Sequence, residues 1–192
     1  MNYLELGCRG VLVGVFLASL VGKLRGPAAY RGFVTATGAL LGVDARRARL
    51  MAGLAVTAEG AVLALLVAGL VVRLAAPGAG WVGWAVVGWL GLGAAGGLLL
   101  CFTGALVAAL RRGTGEVCHC FGASTTPVGW HHVGRNGVLL VAVAGLVAGL
   151  GGGGSYQVAG IAVTGLAVVV CVAVVARLDD LVALFRQPAR YR

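Results

Sequence analysis

A chain of 192 residues with 60% hydrophobic and only 11% charged residues cannot build a water-facing surface, because soluble domains carry about 25% charged residues. Its net charge of +9 would suggest nucleic acid in a soluble protein, but here the basic residues flank apolar runs. Membrane topology and anionic lipid headgroups account for them, so the reading is an integral membrane protein in a lipid bilayer, with no nucleic-acid partner.

The fold expected is all-α, a polytopic transmembrane helix bundle of about five spans, because backbone polar groups in lipid must be satisfied within each span. The chain reads as one membrane domain over 1–192, with the core at about 7–150 and a basic tail at 177–192. The 34 glycines suit close helix contacts in a membrane.

The first span is expected from Gly7 to Leu24 and is a retained helix, since no small-residue cleavage signature follows Lys23. The connection from Arg25 to Leu50 holds an apolar core, FVTATGALLGV, too short to cross and flanked by Arg31, Arg46, Arg47 and Arg49. It reads as an interfacial amphipathic segment. The second span covers Met51 to Val72, and the third covers Trp84 to Leu110, with Trp81, Trp84 and Trp89 as interfacial anchors. The fourth must begin near His131 or Val133, because Gly137 to Leu150 alone is short for a crossing. The fifth runs from Tyr156 to Ala176, after a GGGGS turn.

Every basic residue except Arg9 and Arg73 falls between spans one and two, between three and four, or at the inner end of span five and beyond. The positive-inside rule then places the N-terminus outside and the C-terminus inside the plasma membrane. The same rule puts the segment after span three on the cytoplasmic side.

That segment holds the most chemically marked stretch of the chain, Cys118-His119-Cys120-Phe121-Gly122. Nearly adjacent cysteines close only a strained disulfide ring, and strained disulfides are labile and oxidising. Electron exchange fits them better than bracing, and a protonated His119 would favour a thiolate beside it. A zinc site fits poorly, since zinc ligands usually stand two to four residues apart. Copper(I) suits the soft ligands slightly better, and inert thiols are the plain alternative.

The C-x-C-F-G motif after a third span, a Thr/Pro stretch, Trp130 and the Arg135-Asn136 pair opening the next span together resemble the MauE family of DoxX-like, redox-associated membrane proteins. Phe16, Ser19, the Lys23-Leu24 pair, Arg25-Gly26-Pro27 and Glu59 match the same pattern, while His119 departs from the small residue common there. The resemblance covers about residues 7–150. It implies a four-helix core plus a C-terminal helix, and a helper of disulfide formation or maturation of an exported client protein. The partner it implies is a thioredoxin-fold protein; the family is named for methylamine utilisation.

Depth arithmetic gathers the remaining polar residues. At about 1.5 Å per residue, Glu59 lies about 12 Å into span two and Cys101 about 14 Å into span three from the same face. Cys118, His119, Cys120, Glu59 and Arg135 are therefore the candidate site, with Glu59 expected to pair with Arg135 or to accept a thiol proton. Cys101 and Cys171 read as small packing residues. Either Cys118 or Cys120 would attack as thiolate and the other would resolve the mixed disulfide, with a thioredoxin-fold partner or a membrane quinone exchanging the electrons. A non-catalytic membrane chaperone, transporter or metal-handling protein is the rival reading; no resident cofactor or metal is expected.

Overall fold

A computed structural model describes residues 3–75, 82–113, 129–148 and 157–178. Those residues form six helices, α1 (Tyr3–Leu24), α2 (Pro27–Leu41), α3 (Ala45–Ala75), α4 (Val82–Arg112), α5 (Trp130–Val147) and α6 (Val158–Ala176). The all-helical bundle expected from composition is what forms. α1, α3, α4 and α6 are long and apolar enough to cross a membrane.

Close contacts fix the direction of each helix. Arg9 reaches toward Gly88 and Lys23 reaches Phe102, so α1 and α4 run parallel. Gly69 meets Gly88 and Gly91 meets Leu65, so α3 and α4 are antiparallel. Gly96 meets Val143, and Asn136 bonds Thr103, so α5 runs back along α4. On α1, Gly7, Gly10 and Gly14 face Thr164, Val168 and Val172, which makes α6 parallel to α1. Because α4 and α6 point the same way, the chain must return between them, and α5 is the described helix that does so. With 18 residues, it is about 27 Å long at 1.5 Å per residue, close to the roughly 30 Å hydrocarbon core.

Alternation has a consequence for charge. The ends of α1, α4 and α6 and the starts of α3 and α5 share one end of the bundle. Lys23, Arg25, Arg46, Arg47, Arg49, Arg111, Arg112, Arg135 and Arg177 all stand at or near it. Arg9 and Arg73 stand toward the other end.

The segment read as interfacial is a helix of 15 residues, α2. Pro27 occupies its first turn, where a missing N–H costs nothing. Gly42 closes it with φ 67° and donates its N–H to the Gly38 carbonyl, a left-handed cap that glycine adopts without strain. Two residues on, Asp44 caps α3 by accepting from the Arg47 N–H at 2.8 Å. α3 therefore begins six residues before the expected Met51, and the basic cluster Arg46, Arg47 and Arg49 lies on its first turns.

The core is a stripe from each helix at the 3.6-residue period. Leu12, Val15 and Phe16 of α1 meet Val62 and Leu66 of α3, Leu92, Ala95 and Leu99 of α4, and Leu139 and Val143 of α5. α6 joins differently. It contributes no buried residue and docks on the glycine-bearing face of α1. A Cβ on Gly14 would fall 2.5 Å from Val172 Cγ2, so only glycine permits that approach.

Candidate functional site

The stripe that builds the core of α1 carries charge at both extremes. Glu5, Arg9, Leu12, Val15, Phe16, Ser19 and Lys23 are all buried and recur every three or four residues. A lysine on that stripe cannot reach water, so it requires a buried acceptor. Lys23 Nζ donates to Glu59 Oε1 at 2.6 Å, to Glu59 Oε2 at 2.8 Å and to Ser19 Oγ at 2.6 Å. Those three contacts use all three ammonium donors. The Ser19 hydroxyl donates in turn toward the Glu59 carboxylate at 3.3 Å. Lys23 is 2% exposed and Glu59 1%, so the pair is desolvated and each charge depends on the other.

Two rings complete the ammonium's surroundings. Its nitrogen lies 5.0 Å from the Phe33 ring centre on α2 and 5.7 Å from that of Phe102 on α4, within the range where a ring face attracts a cation. α2 is thus tied to the pair by Phe33, its one buried residue.

Beside this pair is a cavity of about 280 Å³. Its polar floor is Ser19, Lys23 and Glu59, and Arg135 and Asn136 of α5 also border it. Its walls are apolar, with Phe16, Phe33, Phe102, Leu99, Leu106 and Leu139. Leu41, Met51 and Cys101 border it too and are exposed, so its rim is apolar. On α5, Asn136 Nδ2 donates to Thr103 Oγ1 at 3.3 Å, which fixes α5 against α4 next to the cavity. His132 is fully buried one turn earlier, its ring centre 4.0 Å from that of His131.

Of the site residues expected from sequence, Glu59 and Arg135 do converge, on this one cavity, and Cys101 reaches its rim. The ion pair expected between Glu59 and Arg135 is corrected: the partner of Glu59 is Lys23. Lys23 has the shorter route, because it shares the α1 stripe with Ser19, whereas its charge alone reads as a topology marker. The depth of Glu59 is corrected as well, since α3 starts at Ala45 and places it about 21 Å along that helix at 1.5 Å per residue. Cys101 and Cys171 are exposed and not packed in the core. Cys118, His119 and Cys120 lie outside the described residues; the described residues that flank them, Gly113 and Gly129, are at the basic end of α4 and α5.

A family model described as methylamine utilisation protein MauE matches residues 1–151. The chain belongs to the MauE family. It is a multi-pass membrane protein of that methylamine-utilisation family. The match takes in α1 to α5, and with them every residue of the cavity, and ends before α6. No curated protein and no solved structure matches the chain.

The opposite end of α1 holds a second, simpler pair. Arg9 Nε donates to Glu5 Oε1 at 3.3 Å on the same helix, one turn apart, with both side chains nearly buried.

Proposed function

We propose that this MauE-family protein is a membrane thiol–disulfide exchange helper whose working pair is Cys118 and Cys120. A thiolate of one protein attacks the disulfide of the other and forms a mixed disulfide. The second thiol of the attacking pair then resolves it, so that one protein leaves as dithiol and the other as disulfide. The partner is a thioredoxin-fold protein, and the outcome is maturation of an exported client. His119 favours the thiolate.

The observation that carries this reading is positional. The residues flanking the C-x-C segment stand at the basic end of the bundle, Lys23, Glu59 and the cavity lie in the half nearest to it, and the family match spans both. Glu59 enters as a positioning residue, because its carboxylate is occupied by Lys23 and Ser19. It holds α1 to α3. By the positive-inside rule the basic end is cytoplasmic, with the N-terminus outside the plasma membrane.

Thiol trapping tests both parts. Intact cells and inverted vesicles are treated with a membrane-impermeant maleimide, with and without prior reduction. The expected result is labelling of Cys118 and Cys120 only after reduction and only in inverted vesicles. Complete labelling without reduction, unaffected by oxidants, would remove the redox role; labelling in intact cells would reverse the orientation.

A further inference from the structure

We infer that the cavity between α1, α2, α3, α4 and α5 binds the ring of a lipid-soluble quinone, an inference that rests on the exchange reading for its redox part and on geometry for its binding part. The rim comes first. Leu41, Met51 and Cys101 are exposed around the cavity and none carries charge, so the cavity opens past apolar side chains and its ligand must itself partition into lipid. Depth comes second. Glu59 stands ten residues beyond Arg49 on α3, and Phe102 ten residues before Arg112 on α4. Each is about 15 Å from that basic residue of its own helix at 1.5 Å per residue, below the level where phospholipid headgroups sit.

The floor then selects the polar part. Lys23 and Glu59 neutralise each other and Ser19 closes the set, while Arg135 and Asn136 border the cavity from α5, so the lining offers donors to a neutral acceptor without breaking the pair. A ring carbonyl needs only one donor, and Lys23 supplies it by exchanging its Ser19 contact. Phe16, Phe33 and Phe102 give flat apolar walls for a ring. The volume of about 280 Å³ is near the lower edge of ligand pockets, roughly 300–1,000 Å³, which suits one ring and the first part of a tail.

The chemistry balances without another reactant. Two thiols lose two electrons and two protons and form one S–S bond. The quinone gains the same two electrons and two protons, one proton on each oxygen, and leaves as quinol. The Cys118–Cys120 pair is thereby returned to its disulfide form.

The test uses the full chain in phospholipid nanodiscs and a photoreactive azidobenzoquinone with a short isoprenoid tail. Illumination followed by peptide mapping is expected to label residues of α1, α3 and α4 that border the cavity. Ala105→Trp, which fills the cavity, is expected to cut that label by about tenfold or more, equivalent to about 1.4 kcal/mol of affinity. Leu166→Trp on exposed α6 controls for a new indole and should leave it unchanged. Label spread over α6, or equal in Ala105→Trp and the unaltered protein, would overturn the inference. A Cys118→Ser, Cys120→Ser variant separates the two claims. Cavity label retained in it, alongside absence of a disulfide cycle in the native chain, supports binding and sinks only the exchange reading.

Discussion

The two ends of α1 solve one problem in different ways. Toward the N-terminus, Glu5 and Arg9 meet within one helical turn, across 3.3 Å. At the other end, Lys23 finds its carboxylate on α3, thirty-six positions along the chain, at 2.6 Å, with Phe33 of α2 and Phe102 of α4 around it. A local pair forms as soon as its helix does. An interhelical pair forms only when the bundle closes, so it reports on tertiary structure and can gate what lies beside it. The cavity borders the second pair and not the first.

The sharpest way to break this contrast is Glu59→Gln. It leaves Lys23 buried without a counter-charge and should destabilise the protein by about 3–5 kcal/mol. Thermal unfolding of the purified protein measures it. Lys23→Met combined with Glu59→Met should recover most of that loss, because removing both charges leaves no unpaired one. A double variant as unstable as the single one would show that the pair does more than neutralise itself.

Next in size is Gly14→Leu, whose side chain meets Val172 and should cost about 1–3 kcal/mol as overpacking. Its readout is specific to α6: the yield of a cross-link between cysteines introduced at Gly7 and Thr164 should fall, while the cavity end is undisturbed. Thr103→Val removes the acceptor of Asn136 and should cost about 0.6 kcal/mol, the mean for interhelical hydrogen bonds in a membrane. Glu5→Gln should cost less than Glu59→Gln, because the Arg9 contact lies one turn apart on a single helix. A Glu5→Gln loss as large as that of Glu59→Gln would erase the distinction between the two ends.

Much of the bundle was legible because lipid leaves the chain few options. Apolar runs of span length located α1, α4 and α6 to within a few residues and α3 to within six at its start, and Glu59 stood out as an acid inside such a run. Its partner was harder to see. Arg135 and Lys23 both lie at the basic end, and the sequence alone weighs them equally unless the α1 stripe is followed from Leu12 through Ser19 to Lys23. That spacing was available and decides for Lys23. α2 was legible as a segment but not as a cover over the pair, since nothing in its composition tells which face Phe33 turns inward. The cavity was not legible at all. It arises from five helices meeting, and no stretch of sequence encodes a gap. Cys118, His119 and Cys120 were found by motif alone, and they lie outside the described residues.

The apolar layer midway along the bundle also has an electrical meaning. Between Arg9 and Ser19 the α1 stripe is Leu12, Val15 and Phe16, sealed by Val62, Leu66, Leu92, Ala95, Leu139 and Val143. A proton needs a chain of titratable groups or water to move through a membrane, and this septum offers neither a hydroxyl nor a carboxylate. Among the described residues, an ammonium and a carboxylate are thus held behind an apolar layer, with no titratable side chain on the α1 stripe between Arg9 and Lys23 to carry a proton past it.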